Sequence, residues 1–167
     1  KVADVTISKA AFDHWLVVAQ KSQVAATTPG GASPPLDSPD FKACVAFHQK
    51  NDPKPPKGSP NPTPASLKTA CATAYGAARD EAMPFLITAD WLQGEAADQD
   101  IKVTDAQVAK QLKTIEDQMF KAPGALQAFP AQSGETHADL LYRVRTETPR
   151  PKRVEHIPSP QAQRTPA

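Results

Sequence analysis

The sequence predicts a mainly α domain with one short N-terminal strand and a long proline-rich insertion. Three observations carry this. Apolar and small residues recur at three- and four-residue steps through Leu67, Cys71, Ala74, Ala78, Ala82, Phe85, Ala89, Leu92 and Ala96, the period of one helix face. Thr104-Asp105-Ala106-Gln107 reads as a capping box, and Val108, Leu112, Ile115 and Met119 follow on one continuous face. Ten of the 18 prolines fall between Pro29 and Pro64, so that stretch cannot run as unbroken helix or sheet. There is no internal repeat and no alternating strand–helix series.

From the N-terminus, residues 2–7 (VADVTI) alternate as a short strand does. Ser8 is placed to cap a helix from Lys9 to about Gln23, with Phe12, Trp15, Leu16 and Ala19 on one side. Residues 26–63 form the insertion. Within it, residues 41–50 make a short helical patch carrying Phe41, Cys44, Val45 and His48. NDPKPPKGSPNPTP is polyproline-like; it reads as a stiff solvated spacer or as a ligand for a proline-recognising partner. Thr63 and Pro64 open the long helix in the preferred cap-then-proline order, and it extends to about Gln99. Pro84 removes one backbone hydrogen bond and predicts a kink; Gly76 weakens the same helix. A short helix is expected over 123–132, closed by Ser133-Gly134. Another begins at Thr136, with Asp139 as its N3 residue, and buries Leu140, Leu141 and Val144. The tail 149–167 is basic, proline-rich and without apolar periodicity, and is read as disordered. Residues 1–148 are read as one helical domain.

Composition narrows the function. A chain of 167 residues can build one modest core, of ~120 residues once the insertion is set aside. The net charge of +1 lacks the basic excess of a dedicated nucleic-acid binder. No run approaches the ~18 apolar residues of a membrane span. The chain opens at Lys1 with no charged-then-apolar leader, as a processed product would.

Cys44 and Cys71 are the only cysteines. Without partnering histidines, two thiols do not close a zinc site, and their spacing is not a C-x-x-C pair. A disulfide or two inert core thiols remain. The polar, proline-rich context favours the disulfide, which would place the protein outside the reducing cytosol.

No Walker loop, G-x-S-x-G elbow or G-x-G-x-x-G is present. His14, His48, His137 and His156 show no metal-ligand spacing. Cys44 and His48 lie one turn apart, as a nucleophile and base can, but no third orienting group is evident in the sequence. Asp80-Glu81 and Glu116-Asp117 are ordinary solvated pairs. The run Arg143, Arg145, Arg150, Lys152 and Arg153 has no interleaved aromatic for base stacking; weak contact with an anionic membrane surface is the most it suggests. Catalytic residues, a metal and a cofactor are therefore not assigned. The candidate contact residues, chosen by type, are Trp15, Phe85, Trp91, Met119, Phe120 and Tyr142. Flexible and aromatic side chains at a groove bind extended chains promiscuously, and the long helix and the 104–120 helix are the expected walls.

Three segments carry a family resemblance: VTISKAAFDHWL (5–16), WLQGEAADQDIKVTDAQVAKQL (91–112) and QSGETHADLLYRVR (132–145). Together they resemble the N-terminal chaperone region of exported bacterial parvulin-type peptidyl-prolyl isomerases, the SurA/PrsA-like foldases. The resemblance spans most of residues 2–145. It implies a SurA N-terminal-like helical domain that holds unfolded or nascent exported polypeptides outside the cytoplasm, with no cofactor and no nucleic acid. A membrane or lipid anchor in the precursor is compatible with it. An isomerase domain commonly follows in such proteins. Here it would begin soon after Arg145, and the short tail carries none of that domain's active-site residues. Pro84, Pro130, Pro149 and Pro151 depart from the family's helices and mark kinks or helix ends.

Overall fold

Ser8 sets the start of the first helix. Its backbone is extended and its Oγ accepts the Ala11 N–H at 3.1 Å, satisfying one of the free donors at a helix N-terminus. Helix α1 spans Lys9–Thr27 and buries Trp15, Leu16, Val18, Ala19 and Gln20. The computed structural model describes residues 6–28, 30–121, 129 and 133–147. The described residues are mainly helical, and no strand occurs among them. Most of the expected strand lies outside that set; Thr6 and Ile7, its described end, join no strand. Buried Gln20 donates from Nε2 to the Pro34 carbonyl at 2.7 Å. A buried amide needs such a partner, and the bond fastens the first part of the insertion to α1.

Helix α2 (Lys42–Asn51) is capped from outside itself. The Asp37 carboxylate accepts the Ala43 N–H at 2.6 Å and the Cys44 N–H at 3.0 Å. The residue at the cap position, Phe41, makes no side-chain cap bond and sits at φ 55°. A bulky side chain seldom adopts that conformation. Its ring is buried with Cys44 and Cys71 and packs edge-on to Tyr75 at 5.9 Å, which offsets the local strain.

Helix α3 (Pro64–Asp98) opens as the sequence predicts: the Ser66 N–H donates to Thr63 Oγ1 at 3.1 Å. It continues through Pro84. Its buried residues are Leu67, Cys71, Ala78, Ala82, Leu86, Ala89 and Ala96, while Phe85 is only half-buried. The helix ends with Asp100 at φ 51° and the Ile101 N–H bonded back to the Ala96 carbonyl at 2.8 Å. That backward bond is a Schellman closure, with an aspartate where glycine is usual.

Helix α4 (Asp105–Met119) has the full capping box. The Gln107 N–H donates to Thr104 Oγ1, and the Thr104 N–H donates to Gln107 Oε1 at 2.8 Å. Helix α5 (His137–Glu147) repeats the device: the Asp139 carboxylate accepts the Thr136 N–H at 2.7 Å, and the Asp139 N–H returns a bond to Thr136 Oγ1. The two helices pack on each other. Val108, Leu112 and Val144 form the buried centre, and Val103, Ile115, Leu140 and Leu141 surround it.

The chain divides into two compact units. Residues 6–86, with 129 and 133–135, make one; residues 87–121, with 136–147, make the other. Helix α3 contributes to both. Gly134, at φ 76°, stands where an added Cβ would come within 3.0 Å of Lys21 Cβ, so both backbone and packing require glycine there. Of the expected 123–132 helix only Phe129 is described, and it is helical; the rest of it and the 149–167 tail lie outside the described residues.

Asp37 ties pH to the stability of α2. Burial alone would raise its pKa, but the N–H donors of Ala43 and Cys44 hold it below the ordinary 3.8. A depressed carboxyl stabilises the fold above its unfolded pKa, and this is lost as pH falls through the folded value. Asp37→Ala should cost about 1 kcal/mol at neutral pH, as lost caps do. The gap from wild type should close below roughly pH 4. Urea unfolding across pH 2–7 (about the range that brackets a carboxyl) checks this; a gap independent of pH would exclude the carboxylate as its cause.

Candidate functional site

Two places carry side chains able to do chemistry or binding, one in each unit. In the first, Cys44 of α2 and Cys71 of α3 form a disulfide, with their Cα atoms 6.1 Å apart. The bridge closes a loop with a sequence separation of 27, which contains the polyproline-like segment. Both cysteines are buried, at 2% and 1% exposure. One helical turn after Cys44 stands His48, and one turn further Asp52. The His48 Nδ1 lies 2.9 and 3.0 Å from the two Asp52 carboxylate oxygens. The orienting group that is not evident in the sequence is therefore Asp52, just past the end of α2. One ligand atom each from Cys44, His48 and Cys71 lies within 4.8 Å of the others. Sequence spacing separates Cys71 from this pair, and only the bridge brings it there. As a disulfide, Cys44 is no nucleophile.

The six candidate contact residues divide between the two units. Trp15 is buried, and its ring stacks tilted on half-buried Phe85, with centroids 4.4 Å apart. That pair belongs to the first unit. Trp91, Phe120 and Tyr142 belong to the second. Phe120 and Tyr142 are half-buried, and Trp91 is 40% exposed. Met119 ends α4, and its side chain lies outside the described set. Sequence reasoning missed Ile87, the most exposed large apolar residue among the described residues at 53%. It stands one turn before Trp91, and Gly94 follows on the next turn with open space where a Cβ would be. Exposure at i and i+4 marks an unfilled strip along one side of α3.

Around α3 from that strip, Gln93 donates from Nε2 towards the Tyr142 hydroxyl at 3.4 Å. Two residues are about 200° of helix, so Trp91 and Tyr142 occupy different sides of α3. Burial raises the Tyr142 pKa and Asp90 raises it further, against the Gln93 bond. The phenol thus remains a hydroxyl at neutral pH. Gln93 also lines a cleft of about 400 Å³, together with Ala96, Ile101, Val103, Lys102 and Arg145 among others. Its lining mixes apolar with charged side chains. Arg145 is paired with Asp105 and Lys102 with Asp100, so the two cations are largely balanced. Of the basic run, Arg143 and Arg145 lie on α5; Arg150, Lys152 and Arg153 are outside the described residues. Among the described residues no helix is long and apolar enough to cross a membrane.

Comparison with protein-family models, with curated proteins and with solved structures finds no match.

The bridge has a measurable weight. Opening a loop of this size should lower stability by roughly 3–4 kcal/mol on loop-entropy reasoning. Thiol labelling without reductant should add no label, and reductant should release two thiols and lower the urea midpoint. Unchanged stability after full reduction would mean that the loop is held by other contacts.

Proposed function

We propose that the chain is a polypeptide-binding module of an extracytoplasmic foldase, holding unfolded clients without isomerase catalysis of its own. The observation that carries the reading is the exposed pair Ile87 and Trp91 on α3, at 53% and 40% exposure. Large apolar side chains left open a turn apart give one helix side two apolar contacts for a bound chain. The disulfide fits an oxidising compartment, and the sequence resemblance to SurA/PrsA-like chaperone regions supplies the client class.

The magnitude suits holding and release. Covering the remaining exposed surface of one Trp and one Ile is worth about 1–3 kcal/mol in all. A micromolar complex needs about 8 kcal/mol. A client is therefore held through several such contacts and leaves quickly from any one. The cleft lined by Ala96, Ile101 and Val103 offers a second contact of the same unit.

The test is suppression of aggregation when a chemically denatured globular protein is diluted into buffer. The wild-type chain should slow it. Ile87→Ser with Trp91→Ser should weaken the effect severalfold while leaving the melting temperature nearly unchanged, because both positions are exposed. Equal aggregation with and without the wild-type chain removes the proposal. A proline-peptide isomerisation assay should give the background rate.

One observation favours a second reading. Residues 52–63 are exposed at nearly every position and carry no helix, a form in which a proline-recognising domain could dock. Partner capture that is lost on deleting residues 52–62 would favour this adaptor role. Capture that survives the deletion leaves the segment as a spacer.

A further inference from the structure

We propose that, when the Cys44–Cys71 bridge is reduced, Cys44, Cys71 and His48 bind a thiophilic divalent cation of the zinc type. The cation then takes over the crosslink between α2 and α3.

Two sulfurs and a ring nitrogen already lie within 4.8 Å of one another. Around a tetrahedral zinc with bonds of about 2.0–2.3 Å, ligand atoms stand roughly 3.5–3.8 Å apart. Opening the bridge lets the sulfurs separate towards that spacing, and His48 has only a short approach to make. The histidine is also pre-oriented. Asp52 holds Nδ1 at 2.9 Å, which leaves Nε2 for a metal. This carboxylate–histidine–metal order is the usual support of a metal-bound histidine. Charge and access agree with it. Two thiolates balance a dication. Phe41, Val45 and Tyr75 pack on the sulfur side, and the His48 side chain keeps 24% of its surface open to solvent. The ion enters there, and a water completes four ligands, as in sites with three protein donors.

The steps balance. The disulfide takes two electrons and two protons from a thiol reductant, two molecules of which join as a disulfide. The S–S bond breaks and two thiols form. The cation then displaces both thiol protons, forming two metal–sulfur bonds and one metal–nitrogen bond. A disulfide oxidant reverses the sequence and releases the ion. The same loop is closed in either state, by metal where thiols are reduced and by sulfur where they are oxidised.

The probe is Co²⁺, added anaerobically to the full chain after reduction and removal of the reductant. The expected result is one ion per chain, with the intense visible bands of four-coordinate cobalt, thiolate charge transfer in the near ultraviolet, and displacement by Zn²⁺. The oxidised chain should give neither band. Asp52→Asn should weaken binding about 10-fold, in the range seen when such supporting carboxylates are removed. His48→Ala should weaken it further, while circular dichroism of the oxidised variants stays that of wild type. As a second readout, Zn²⁺ should raise the melting temperature of the reduced wild type and leave Cys71→Ser unmoved. A pale six-coordinate spectrum, or binding equally tight in His48→Ala, overturns the proposal.

Discussion

The bond between Cys44 and Cys71 is the constraint on which the first unit depends. Helix α2 has ten residues, too few to persist alone in water, and it is followed by a segment that contributes no regular structure. Without a crosslink, little would hold α2 against α3 beyond the patch of Phe41, Val45 and Tyr75. The bridge turns that patch into a closed core. Phe41 can then occupy a strained backbone conformation, because its ring has a fixed place to go. Asp37 completes the arrangement by covering the open end of α2.

The second unit is built on different terms. It has no covalent tie; two capping boxes start α4 and α5, and branched aliphatics fill the seam between them. Helix α3 serves both units with one alanine-rich face. Alanine allows close approach but fixes little by shape. Leu67 and Leu86 take inward places among the alanines, while Ile87 and Trp91 stay in the solvent. The surface on which polypeptide binding is proposed thus follows from how this helix is packed.

Much of this was legible in the sequence because caps and periods are local. Ser8, Thr63, Thr104 and Thr136 each mark a helix start through one oxygen and one nearby N–H, so a few residues suffice to read them. The buried positions of α3 follow its three- and four-residue steps almost throughout. The disulfide was one of two open readings of a cysteine pair. What resisted reading was long-range. Cys71 reaches His48 only because the insertion folds back, and no spacing rule carries that information. Asp52 looked like the first residue of a proline-rich spacer, yet it holds the histidine. Trp15 and Trp91 are alike in type and in helical setting; one is core and the other surface, and an alanine stripe does not say which. The left-handed turn at Phe41 had no glycine or asparagine to announce it.

The exposed run between α2 and α3 changes what chain cleavage would mean. Lys54 and Lys57 are its two basic residues, and the proline after Lys54 shields that bond from a trypsin-like enzyme. The Lys57–Gly58 bond is exposed on both sides. A cut there would sever the backbone without separating the pieces, because the sulfur link spans the break. The nicked protein would keep its mass, plus one water, and its two halves would part only in a reducing medium. Backbone continuity through this stretch is therefore dispensable for holding the unit together once the bridge has formed, and indispensable before.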